Sequence, residues 1–113
     1  MEMNTAVAAL TALAQESRLA IFRALVAAGA EGLAAGAVAA KLNLPAATLS
    51  FHLKELKGAG LIGCRRDGRS LIYSANYGAM TDLLDFLTEN CCAGDPAACA
   101  LPAAEPAPAR KTG

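Results

Sequence analysis

Tryptophan is absent from this 113-residue chain, and the remaining aromatics, three Phe and two Tyr, bring the aromatic share to 4%. Much of the 55% hydrophobic content is alanine instead. A core of that kind buries little area per residue, so a monomer is expected to be marginal and a dimer to be the folded unit. Histidine is scarce as well, with His52 alone. No Ser/His/Asp set, no Gly-rich phosphate loop and no Cys-x-x-Cys is present, which argues against an enzyme. Long apolar runs are missing too. The Ala-rich stretches are broken by charges, and Met1-Glu2 lacks a basic leader, so neither a membrane span nor a signal peptide is expected and the reading is cytoplasmic.

Net charge is also lacking, at zero overall, but its distribution is not even. Between Lys41 and Ser70 stand six basic residues (Lys41, Lys54, Lys57, Arg65, Arg66, Arg69) against Glu55 and Asp67. From Leu71 to Ala109 there are five acids and no Lys or Arg. The chain is bipolar, with a basic middle suited to phosphate.

Apolar spacing predicts a first helix over Asn4–Ala14, with Val7, Leu10, Leu13 and Ala14 on one stripe. A second, capped by Ser17, carries Leu19, Phe22, Leu25 and Val26 and ends at Gly29 and Gly32. A short third helix covers about Ala34–Leu42. After the corner Asn43-Leu44-Pro45, a fourth runs to about Lys57, where Gly58 and Gly60 stop it. A hairpin follows, Ile62–Arg66 and Arg69–Ser74 about a two-residue Asp67-Gly68 turn. That turn sets Arg66 opposite Arg69, Cys64 opposite Leu71 and Ile62 opposite Tyr73. A last helix, about Tyr77–Asn90, carries Met80, Leu83, Leu84 and Leu87 on one side. The domain expected is residues 1–92, and residues 93–113 form a flexible Ala/Pro-rich tail carrying Cys99.

The fold class is therefore mainly α, a winged helix-turn-helix with a two-stranded β-hairpin wing and a helical dimer interface. Leu49, His52, Leu53 and Leu56 seat the fourth helix on the core. The first turn of this helix is expected to enter a major groove, where Thr48 and Ser50 hydrogen-bond base edges or phosphates and Phe51 packs on a thymine methyl. Lys54 and Lys57, with Arg65, Arg66 and Arg69 of the wing, suit phosphates of double-stranded DNA. His52 faces the core and is read as a satisfied core histidine or a backbone hydrogen-bonder rather than a metal ligand.

Three of the four cysteines cluster as Cys91, Cys92 and Cys99. In a reducing compartment they read as metal-binding or redox-active thiols. Adjacent residues of a helix point about 100° apart, so Cys91 and Cys92 can grip one ion only if the helix frays or ends before them. Cys64 is read first as a small buried hydrophobe.

The run Thr48-Leu49-Ser50-Phe51-His52-Leu53-Lys54-Glu55-Leu56, then Ala59-Gly60-Leu61-Ile62 and the Arg66-Asp67-Gly68-Arg69 wing, resembles the ArsR/SmtB family of metal-responsive repressors. Ser17-Arg18-Leu19 to Leu25 fits as well. The resemblance spans roughly residues 5–90. It implies a homodimer joined by its first and last helices, bound to an imperfect palindromic operator and released by an inducer. The family's Cys-x-Cys on the third helix is absent from Leu33–Leu42, and so is its histidine-containing zinc site on the last helix. The layout of Cys91, Cys92 and Cys99 is similar to that of arsenical-responsive members with a C-terminal site. That likeness implies As(III) or Sb(III), or a trivalent organoarsenical, as inducer, with no constitutive cofactor. A competing reading has the thiols bind Zn, Cd or Pb with a water or a fourth ligand. An oxidant-sensing disulfide between Cys92 and Cys99, or a thiol-rich metal-buffering protein, are the alternative readings.

Overall fold

The computed structural model describes residues 1–94 and Ala97. The helices are α1 (Met3–Leu13), α2 (Glu16–Ala28), α3 (Ala35–Leu42), α4 (Ala46–Gly58) and α5 (Tyr77–Leu87). Three strands, β1 (Leu33–Ala34), β2 (Ile62–Asp67) and β3 (Ser70–Ala75), form one antiparallel sheet in the order β1-β3-β2. This is the winged helix-turn-helix arrangement expected. The 93–113 tail falls outside the described residues save for residues 93, 94 and 97.

The core is aliphatic. Ile21 and Leu25 of α2, Val38 of α3, Leu56 of α4 and Leu61 before β2 are its largest fully buried side chains. Against them α1 lays a stripe of small residues, Ala6, Ala9 and Ala12. Of the expected stripe, Leu13 packs against the core, whereas Val7 and Leu10 point outward, with 51% and 42% of their surface exposed, and Ala14 is exposed. Alanines let α1 approach closely and leave its larger side chains outside. At the far end of the chain Leu83 is buried, but Leu84 and Leu87 are each 55% exposed.

The cap of α2 differs from expectation. Gln15, not Ser17, is the N-cap, its Oε1 accepting from the Arg18 backbone N–H at 2.9 Å. Asn43, at φ 56°, makes the left-handed corner after α3, a conformation Asn tolerates better than most residues. Pro45 sits at the N-cap of α4.

The hairpin register also differs. Asp67 pairs with Ser70, Arg66 with Leu71 and Cys64 with Tyr73, so the turn residues are Gly68-Arg69 and not Asp67-Gly68. Gly68 at φ 65° takes the first turn position, where a primed turn with one positive φ demands Gly. Each partner shifts by two residues, so every side chain keeps its face. The short β1 was not expected. It pairs Leu33 with Tyr73 and Ala34 with Ile72, and it requires Gly32, at φ 73°, because a Cβ there would strike the Tyr73 carbonyl oxygen.

Asn76 joins the wing to α5. Its Oδ1 accepts from the Ala79 N–H at 3.1 Å, its Nδ2 donates to the Gly60 carbonyl at 3.0 Å, and its own N–H donates to the Leu61 carbonyl at 2.8 Å. One residue later the Tyr77 hydroxyl donates to the Val26 carbonyl at 2.8 Å, near the end of α2.

Candidate functional site

The predicted recognition helix divides as its spacing requires. Leu49, His52, Leu53 and Leu56 are buried, while Thr48, Ser50, Phe51, Lys54 and Lys57 are all exposed. No side chain caps α4, and its first accepted bond runs from the Leu49 N–H to the Pro45 carbonyl. The N–H groups of the first turn therefore face outward beside Thr48, at the positive end of the helix dipole. Phe51 is 56% exposed, the one large apolar side chain on the outer side of α4. Its ring lies 5.6 Å from that of His52, centroid to centroid and tilted by 59°.

His52 itself is buried, and its Nδ1 lies 3.2 Å from Nη1 of Arg18. It is the satisfied core histidine expected, with a partner that the sequence did not reveal.

On the wing, Arg66 and Arg69 are exposed and sit at the tip. Arg65 is exposed too, but its Nη2 donates to the Glu31 carbonyl at 3.2 Å, tying the wing to the loop before β1. Below it, Cys64 is half-buried rather than buried and stands across from Tyr73. Burial, and then the neighbouring Cys64 thiol, push the Tyr73 hydroxyl above the ordinary tyrosine range.

The thiol pair lies just past α5, which stops three residues earlier than expected. The Thr88 hydroxyl and N–H both donate to the Leu84 carbonyl, at 2.9 and 3.1 Å, closing the helix. Asn90 at φ 59° then turns the chain. Cys92 is left-handed as well, at φ 56° and ψ 41°, and the two sulfurs approach to 3.6 Å. Two thiolate–metal bonds of about 2.3 Å to one ion span a sulfur–sulfur distance of about this size. Cys99, the expected third ligand, lies outside the described residues. Among the described residues no group of three or more His, Cys, Asp or Glu side chains is placed to hold a metal, and no helix is long and apolar enough to cross a membrane.

Gln15, Arg18, Asn76 and Tyr77 were missed as positioning residues. Asn76 had a readable signal, an Asn directly before an apolar helical repeat. Arg18 had none, since its partner is 34 residues away.

A family model described as a helix-turn-helix domain matches residues 13–65. The nodulation protein NolR of Rhizobium meliloti is 36% identical over 80 residues, 71% of this chain and 63% of its own length. The crystal structure of NolR from Sinorhizobium fredii is similar at TM-score 0.62 and 35% identity, over 76% of this chain and 83% of that one. A homodimeric winged helix-turn-helix DNA-binding domain from Mycobacterium bovis, a possible ArsR-family transcriptional regulator, is similar at TM-score 0.62 and 26% identity, over 83% of this chain and 87% of that one. The chain spans less than two thirds of the length of the curated relatives it matches.

Proposed function

Because this chain belongs to the ArsR/SmtB-type winged helix-turn-helix family of transcriptional regulators, we propose that it acts as a homodimeric repressor whose operator is released when trivalent arsenic or antimony binds Cys91 and Cys92, joined by Cys99. The approach of the Cys91 and Cys92 sulfurs to 3.6 Å carries the inducer half of this reading. The DNA half is supported by Thr48, Ser50 and Phe51 exposed on α4, with Lys54 and Lys57 beside them and Arg66 and Arg69 on the wing.

What the fold leaves uncovered supports dimerisation. Met3, Val7 and Leu10 repeat at helical spacing on the outside of α1, and Leu84 and Leu87 stand outside α5. Beside them a groove of about 470 Å³ is lined by Leu13, Leu19, Phe22, Val26, Met80 and Leu84. A second copy packed there would bury side chains worth about 1.5–3 kcal/mol each when fully covered.

The thiol pair follows directly on α5, so inducer binding acts on an element of that interface. Drawing Cys99 back to the pair reorders the chain beyond Leu87 and changes how the two α5 helices meet. A palindromic operator needs both recognition helices one helical turn apart, and a small rotation of the halves loses one of them. A coupling of about 3 kcal/mol would weaken DNA binding about 100-fold.

The test is fluorescence anisotropy of the reduced protein on a duplex from immediately upstream of its own coding sequence, titrated separately with arsenite and with zinc. Release by arsenite and not by zinc is expected. Tight binding that ignores arsenite overturns the inducer assignment. Release by peroxide in metal-free buffer would replace it with the redox reading.

A further inference from the structure

We propose that Arg18 is a positioning residue for DNA recognition, tying α4 to the end of α1 through His52. The inference rests on the DNA-binding reading of α4. The Arg18 backbone is fixed by the Gln15 cap at the start of α2. From there its guanidinium reaches two other helices at once: Nε donates to the Ala12 carbonyl of α1 at 2.7 Å, and Nη1 meets His52 Nδ1 of α4 at 3.2 Å. Arginine has only donors and keeps its charge. In this contact Nδ1 is therefore the acceptor. Ala12 lies in the last turn of α1, where carbonyls have no partner within the helix and a cation is favoured.

The joint that this side chain spans is poorly filled. Ala8, Thr11 and Ala12 of α1 face Lys54, Glu55 and Gly58 of α4 across a cleft of about 470 Å³, lined also by Arg18. Small and charged side chains give little apolar contact across this cleft, so on this side of α4 the charged hydrogen bonds add to the packing that buries Leu49, Leu53 and Leu56 on its other side. His52 is also adjacent to Phe51 on the outer side of α4. A movement of α1 thus reaches the DNA-reading side chains through Arg18, and no other polar side chain among the described residues bridges α1 to α4.

The experiment uses the full chain and a duplex that the wild-type protein selects from a random-sequence pool. Arg18→Met, His52→Leu, the double variant, Arg18→Lys and His52→Asn are compared for affinity to that duplex, affinity to an unselected duplex of equal length, and thermal midpoint. Each single apolar variant is expected to lose about tenfold in selected-duplex affinity, the scale of one charged hydrogen bond. The double variant loses no more than either single one, because they break the same tie. Arg18→Lys keeps the charge but cannot span both acceptors, and it falls with them. His52→Asn, whose Oδ1 replaces the Nδ1 acceptor, recovers to within about threefold. Unselected-duplex affinity, set by Lys and Arg at phosphates, stays near wild type.

Additive losses, or His52→Asn as weak as His52→Leu, overturn the proposal. So does a parallel fall in both affinities that tracks the thermal midpoint. Should the apolar variants fail to fold, Arg18→Lys against His52→Asn decides alone. A wild-type protein that selects no duplex removes the DNA-binding reading itself, whereas one that selects a duplex indifferent to these substitutions removes only the role of Arg18.

Discussion

Cys91 and Cys92 hold their sulfur atoms 3.6 Å apart because Cys92 takes a left-handed backbone, φ 56° and ψ 41°, directly after the end of α5. Continued as helix, the two side chains would diverge by about 100°. Serine at either position leaves the fold intact, since neither thiol belongs to the core cluster. Cys91→Ser and Cys92→Ser are therefore expected to bind operator like wild type and to ignore arsenite. Anisotropy titrations of the two variants check this; loss of DNA binding without inducer would instead assign the pair a structural role.

Charge on the outer face of α1 or α5 should separate the protomers. Val7→Asp or Leu84→Asp places a carboxylate on a side chain now 51% or 55% exposed in the protomer. Burying it against a second copy costs several kcal/mol. Sedimentation equilibrium is expected to show a species of half the wild-type mass, with operator affinity reduced because one half-site is engaged alone. A variant that remains dimeric would move the interface elsewhere.

Phosphate and base contacts should separate by their salt dependence. Lys54→Ala or Arg66→Ala removes one exposed cation and is expected to lower the slope of log affinity against log salt by about 1, across all sequences alike. Thr48→Ala or Ser50→Ala should leave that slope unchanged and relax preference at particular base pairs. Binding curves at several salt concentrations on selected and unselected duplexes distinguish the two classes.

Gly32 holds a stability prediction. Its φ of 73° is unfavourable for any L side chain, and a Cβ would meet the Tyr73 carbonyl oxygen across the β1–β3 pair. Gly32→Ala is expected to cost about 2 kcal/mol or more, seen as a lower thermal midpoint. Gly36→Ala, where a Cβ meets nothing within 4 Å, is the control and should be neutral or slightly stabilising.

The recognition helix was legible because large apolar residues at 49, 53 and 56, with His52, leave one burial pattern open to a helix. Of the expected thiol cluster, the closeness of Cys91 and Cys92 follows from their adjacency, and Cys99 lies outside the described residues. The hairpin register was not, because Asp67-Gly68 and Gly68-Arg69 are both acceptable two-residue turns and only the position of the positive φ decides between them. The inner face of α1 was hidden for a different reason. Alanine carries a weak hydrophobic signal, so Ala6, Ala9 and Ala12 lost to Val7 and Leu10 in the sequence pattern although they are the buried ones. Arg18 and His52 come together only through the packing of α2 on α4, which no local pattern encodes.

The most direct test follows thiol occupancy and DNA release in one cuvette. Reduced protein on a fluorescent operator duplex is titrated with arsenite while As–S charge-transfer absorption and anisotropy are recorded together. Both signals are expected to saturate at the same arsenite concentration, with the anisotropy falling to that of free duplex. Absorption that saturates while the anisotropy stays high would contradict the account, because the thiols would then be full and the operator still bound.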